Sequence, residues 1–265
     1  MTKLFIPNLA ISVTDRCNLN CAHCVCGEKR NIDISDNVLR NIFSEVGYIS
    51  NLAITGGEPF MVKERLEKIL EFLKDYQVKV EQFGLTTNGT LYNEEIEALF
   101  DQYEEYLSET PMTYQQLSKM RAYIDFSNDE YHQKKIIRLG NYKYQKNIAD
   151  LHDSKYFNYT KHLNKGIYNL GNAKNIVIMK HRKIKKPKLY VFPDKEYTFI
   201  GPFVNISTEG YILRHTVSNN FELKDTYGHV SDDSIYNLLL PYAKRCRTVD
   251  EFYKKTDKEV RKILR

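Results

Sequence analysis

Three cysteines, Cys17, Cys21 and Cys24, stand in a CxxxCxxC run, Thr14-Asp15-Arg16-Cys17-Asn18-Leu19-Asn20-Cys21-Ala22-His23-Cys24, directly after the first apolar segment. Three thiolates can hold a 4Fe–4S cluster and leave one iron open for a substrate, whereas four would complete the shell. The alternative from spacing alone is zinc, completed by Cys26 or His23. Structural zinc sites usually draw two ligand pairs from separated segments, and the sequence offers no second pair. A further chemistry-bearing run is Thr55-Gly56-Gly57-Glu58-Pro59. Glycines permit close backbone approach to a ligand. Glu58 and neighbouring carbonyls offer acceptors to an ammonium group; the plainer alternative is a turn that opens a helix.

The elements that must position these residues follow from periodicity. Leu9 to Val13, Leu52 to Thr55, Phe83 to Thr87 and Arg121 to Phe126 read as strands. Between them run helical patterns, with Ser35 or Asp36 and Asn93 as caps and apolar positions at the helical period. Thr113 with Gln116 reads as a capping box, and Asn128 as a further cap. Residues 156–161 and 175–179 complete six strand–helix units. This alternation predicts an α/β fold: an open partial (β/α)6 TIM-type barrel over 1–180, with a small α+β extension over 181–265. In the extension, strands are expected at 190–192, 203–206 and 211–213, a turn at Thr208-Glu209-Gly210, and helices at 232–243 and 249–263. In parallel α/β barrels, reactive groups collect beyond the C-terminal strand ends, where both motifs fall.

Composition bounds the class. The chain has 265 residues, 42% hydrophobic and 28% charged, with a formal net charge of +5. That is ordinary for a soluble globular protein and says little about partners. Four of the five cysteines crowd into positions 17–26, which suits a metal site in a reducing compartment and not a disulfide framework. The absence of an apolar run of ~20 residues and of a signal peptide predicts a cytoplasmic protein with no membrane partner.

Together, the two motifs resemble the radical S-adenosylmethionine (radical SAM) superfamily. The Asp15-Arg16-Cys17-Asn18-Leu19 lead-in, Thr86-Thr87-Asn88-Gly89, Asp125 to His132 and Leu170-Gly171-Asn172-Ala173 match it further. The last of these has Asn172 in place of an arginine. The resemblance spans about residues 9–180. It implies that Cys17, Cys21 and Cys24 ligate three irons of a 4Fe–4S cluster, whose fourth iron chelates the methionine moiety of SAM. It assigns Gly56, Gly57 and Glu58 to the methionine ammonium, Asn88, Asp125 and Ser127 to ribose or carboxylate, and His23 to the neighbourhood of the adenine. The implied activity is reductive cleavage of SAM to a 5′-deoxyadenosyl radical that abstracts hydrogen from a substrate. An electron donor such as flavodoxin or ferredoxin is implied with it.

Residues 203–240 resemble, more faintly, the SPASM/twitch extension of peptide- and protein-modifying members. The cysteines expected after the turn are replaced by Arg214 and His215, so a second cluster is not expected. A peptide or protein substrate, as for a maturase or epimerase, is therefore the first expectation. A nucleoside, nucleic acid or small metabolite is the alternative, and a non-catalytic metal-binding module the alternative of another class. The basic run at 180–188 reads as a solvated connector. Cys246, between Arg245 and Arg247, reads as a packed thiol or as the hydrogen donor that peptide epimerases use, its pKa lowered by the arginines.

Overall fold

The computed structural model describes residues 2–21, 24, 26, 29–112, 120–127, 155, 157–158, 186–215 and 221–264. Five strands in chain order form a parallel sheet: β1 (Lys3–Ser12), β2 (Val46–Thr55), β3 (Lys79–Thr87), β4 (Ala122–Phe126) and β5 (Phe157–Asn158). The first three crossovers carry α1 (Asp36–Glu45), α2 (Lys63–Asp75) and α3 (Glu94–Ser108). Ser35 Oγ accepts the Val38 N–H and Asn93 Oδ1 accepts the Ile96 N–H, so both expected caps close the first turn of their helices. Parallel strands joined by helices bury one sheet face under those helices. Phe83 of β3 stacks on Tyr103 of α3 at 3.8 Å between ring centres, with Phe100 at 5.5 Å. This is the open partial barrel expected from the alternation. The expected cap at Asn128, the capping box at 113–116 and the strand at 175–179 lie outside the described residues.

The C-terminal region adds β6 (Leu189–Pro193), β7 (Tyr197–Gly201), β8 (Phe203–Ile206), β9 (Tyr211–Leu213), β10 (Thr226–His229) and β11 (Ala243–Arg245) to the same sheet. On the β1 edge opposite β2, β7 pairs with Lys3–Phe5 and β8 with Asn8–Ile11, both parallel. Strands β7, β10 and β11 were not expected. The helix expected over 232–243 is only α4 (Ile235–Leu239); a 3-10 turn at Leu240–Tyr242 follows, then β11. Pro241 supplies the reason, since its ring and missing N–H prevent continuation of the helix. The final helix, α5 (Val249–Leu264), packs Phe252 and Tyr253 against Phe199. No helix among the described residues is long and apolar enough to cross a membrane.

Candidate functional site

Three loops meet beyond the C-terminal ends of β1, β2 and β3. The loop after β1 and the loop after β2 are joined by backbone hydrogen bonds: Gly57 N donates to Thr14 O at 2.7 Å and Glu58 N to Arg16 O at 2.8 Å. A Cβ on Gly57 would stand 2.0 Å from Arg16 O, and one on Gly56, at φ +140°, 2.4 Å from Thr14 O. The glycines thus serve a close approach to the chain's own cysteine loop.

The Glu58 side chain then ties the β2 loop to the β3 loop. It is completely buried and accepts from Thr87 Oγ1 (2.7 Å), Asn88 N (2.7 Å) and Phe60 N (3.1 Å). Burial pushes its carboxyl up to about 7, against the three donors that favour the ionised form. Its oxygens are therefore engaged within the protein and form a strut, a role that the reading as an ammonium acceptor does not contain. Asn88 is occupied too: Oδ1 accepts from Thr90 N and Oγ1, while Nδ2 donates to Asn18 Oδ1 at 3.0 Å and lies 3.8 Å from Cys17 Sγ.

The cysteine loop is held from several sides. Arg16 pairs with Asp33 through Nε and Nη2, each at 3.0 Å, and Asp33 also accepts from Thr14 Oγ1. Lys29 Nζ donates to the carbonyls of Cys17 and Leu19. Asp15 is buried and accepts from Thr208 Oγ1 at 2.7 Å, and Arg30 bridges Asp15 to Glu209. The turn at 208–210 is thereby latched onto the cysteine loop. No local pattern joins Asp15 to Thr208, which lies 193 residues along the chain, so this support is not legible in the sequence.

The donor set fits an iron–sulfur cluster. Cys21 is buried, Cys17 and Cys24 half-buried, and Cys17 Sγ accepts the Leu19 N–H at 3.4 Å, the kind of amide contact that stabilises cluster sulfur. Burial pushes the Cys17 thiol up, so iron must displace its proton on binding. Among the described residues, no group of three His, Cys, Asp or Glu side chains is gathered as one ion would need. A cluster sets each thiolate on its own iron and makes no such demand. Cys26, offered as a fourth zinc donor, has its thiol 3.6 Å from Gly56 O as a donor. Asp125 and Ser127 lie half-buried at the β4 end of the rim, where Ser127 N donates to Thr87 O. His23 lies outside the described residues.

Cys246 does not join this site. It is 2% exposed in a cluster with Phe5, Tyr190, Phe199 and Phe252. Phe5 is near the start of β1, seven residues before Ser12, so about 20 Å of strand separates that cluster from the rim. Burial pushes its thiol up, contrary to the lowering expected from the flanking arginines. The reading as hydrogen donor is corrected to packing. Cys246→Ala is expected to cost about 1–2 kcal/mol in a urea titration and to leave SAM cleavage at the wild-type rate; a loss of cleavage in folded protein would contradict this placement.

A partial parallel barrel with a soft, three-thiol donor set on its catalytic rim defines a class of cofactor-dependent enzymes. The family described as the Radical SAM superfamily matches residues 11–167, more than half of the chain, and the chain belongs to it. It is accordingly an enzyme that uses a 4Fe–4S cluster and SAM. The chain is 36% identical over 95 residues to an uncharacterized protein of Methanocaldococcus jannaschii, covering 34% of this chain and 33% of that one. It is 33% identical over 108 residues to GTP 3',8-cyclase of Staphylococcus saprophyticus, covering 36% and 31%. These matches span about a third of either relative. Among solved structures, anSMEcpe with bound AdoMet aligns over 88% of this chain and 80% of its own, at 15% identity and a TM-score of 0.48. SuiB of Streptococcus suis bound to its precursor peptide SuiA aligns over 80% and 60%, at 13% identity and a TM-score of 0.35. Anaerobic reconstitution is expected to load about four iron and four sulfide per chain, as for one cluster; zinc retained in place of iron would contradict the assignment.

Proposed function

We propose that this enzyme acts on a peptide or protein, in the manner of a maturase or epimerase. The carrying observation is the uppermost layer of the inward barrel face. Ser12 pairs in register with Thr55, and Thr86 with Asp125, at the strand ends beside the cysteine loop. Thr86 is exposed, and Thr55 and Asp125 are half-exposed. Hydroxyls at a barrel mouth suit the uncharged donors and acceptors of a peptide. Further support comes from the extension: β8, the turn at 208–210 and β9 form the strand–turn–strand unit that resembles peptide-modifying members, and its turn is latched to the cysteine loop through Thr208 and Asp15.

In this reading residues 1–180 are the barrel and 181–265 the extension. The cluster and SAM supply a carbon-centred radical by one-electron cleavage of SAM. The chain's own residues do the rest: Gly56 and Gly57 hold the SAM loop against the cysteine loop, Glu58 fixes it to the β3 loop, and Asp125 and Ser127 edge the mouth. A flavodoxin or ferredoxin would donate the electron in the cytoplasm, where thiols stay reduced.

The test is anaerobic incubation of the reconstituted, reduced enzyme with SAM and peptides encoded beside its gene, with GTP in a parallel vessel. We expect 5′-deoxyadenosine release coupled to a mass or stereochemical change in a peptide. Conversion of GTP with every peptide unchanged would overturn the reading in favour of a nucleotide substrate, the activity named for the staphylococcal relative.

A further inference from the structure

Below the mouth, the inward face carries polar groups that the cofactor loops do not use. Phe83 faces α3, so its in-register neighbours Leu52 and Leu9 face the helices, and the alternate residues face the lumen. The lower lumen layer is Asn8, Asn51 and Gln82, aligned across β1, β2 and β3. The layer above it is Ala10, Ala53 and Gly84, flanked by Asn205 on β8 and Tyr123 on β4. The Tyr123 ring covers Gly84, while Ala10 and Ala53 are half-exposed and leave the β1 and β2 side of this layer open. Gly84 is required here, since a Cβ would lie 2.4 Å from Tyr123 Cζ, where the ring crosses β3.

The orientation of three amides is set by their partners. Asn8 Nδ2 donates to Pro202 O at 3.0 Å and Asn205 Nδ2 to His215 O at 3.2 Å. The Tyr123 hydroxyl donates to Asn51 Oδ1 at 3.0 Å. This leaves the Asn8 and Asn205 carbonyl oxygens and the Asn51 amino group with no hydrogen bond to a described residue; the three residues are 8%, 7% and 6% exposed, and none of these atoms is among the fully buried ones that lack a partner, so each keeps some access. Polar groups with spare hydrogen-bonding capacity and residual access at the bottom of a lumen are available to a ligand. Two acceptors and one donor form the complement of a primary carboxamide, which has two N–H donors and one carbonyl.

We propose that the lumen floor is a subsite for a primary carboxamide of the substrate, the side chain of an asparagine or glutamine in a peptide. The proposal rests on the peptide reading above. A carboxylate in the same place would set acceptors against the Asn8 and Asn205 oxygens, and an apolar side chain would leave all three groups unpaired.

The probes are acetyl-Gly-Gly-Xaa-Gly-Gly N-methylamides with Xaa as Asn, Gln, Asp or Leu, titrated into SAM-bound holoenzyme by calorimetry, with GTP as a comparison. Loss of one or two hydrogen bonds predicts a preference of about tenfold or more for Asn or Gln over Asp and Leu. Asn51→Leu and Asn205→Leu should each reduce that preference to about twofold. Ala53→Val fills the space over the amides without touching their hydrogen bonds, so it tests the subsite if the asparagine variants do not fold; it should weaken the Asn peptide about tenfold. Peptides that bind with no preference among the four would overturn the subsite and leave the peptide reading standing. Binding of GTP alone would overturn both.

Discussion

Gly57→Ala is expected to reduce 5′-deoxyadenosine release at least 100-fold, with a lowered melting temperature. The added Cβ would fall 2.0 Å from Arg16 O and 2.7 Å from Arg16 C, both backbone atoms that cannot rotate away. Relief requires the two loops to part by more than an ångström. That parting breaks the Gly57 N to Thr14 O and Glu58 N to Arg16 O bonds, which are the backbone seam between the cysteine loop and the loop after β2. A displacement of ~1 Å in a positioned site costs about 100-fold in rate, and overpacking of this kind costs about 1–3 kcal/mol. Gly47→Ala is the informative comparison. Its Cβ would meet Lys3 Cβ and Tyr197 Cε1 at 2.9 Å, mostly side-chain atoms at the opposite end of β2. It should lower stability and leave the rate per folded enzyme near wild type. Equal rates for Gly57→Ala and wild type would refute the seam as a positioning element.

The parts of the fold that were legible share a local origin. Ser35 and Asn93 cap α1 and α3 through N–H groups three residues away, and the apolar periods of those helices name their buried faces. The tail strand β11 pairs with β6, some fifty residues back, and β7 joins its neighbour β6 to β1, almost two hundred residues away. No pattern within Tyr197–Gly201 announces that partner. The same limit governs the site. The residue types around the rim spell out a thiol donor set and a glycine-rich loop, but not which surface the glycines approach. Glu58 reads as an acceptor for a ligand, and the sequence does not show that it also accepts from Thr87 and Asn88, some thirty residues on. Cys246 reads as packing first and as a reagent second, and the sheet places it beside Phe5. Distance along the chain, and not weakness of the interactions, hid these features.

The same Glu58 gives the fold a pH dependence with a definite sign. Its folded value of about 7 lies above the ordinary 4.5, so the native state holds a proton that the unfolded chain has released across that interval. Stability from this group is complete below the unfolded value and is lost as pH rises through about 7. Between pH 6 and 8 the expected loss is about 1.4 kcal/mol, the equivalent of one proton over one pH unit. Glu58→Gln removes the titration, so the difference between variant and wild type should shrink by that amount over the same range. Glu58→Leu tests the strut itself. It leaves Thr87 Oγ1, Asn88 N and Phe60 N buried without an acceptor. At about 1–3 kcal/mol for each stranded group, partial relaxation brings the expected total to about 4 kcal/mol, near the limit that a domain of marginal stability survives. The β3 loop would then be released from the β2 loop, and Asn88 would leave its place beside Cys17. Urea unfolding at pH 6 and 8 for the three proteins measures both effects. A wild-type slope equal to that of Glu58→Gln would show that the carboxyl stays ionised throughout. A Glu58→Leu midpoint unchanged from wild type would show that the three loops hold together without it.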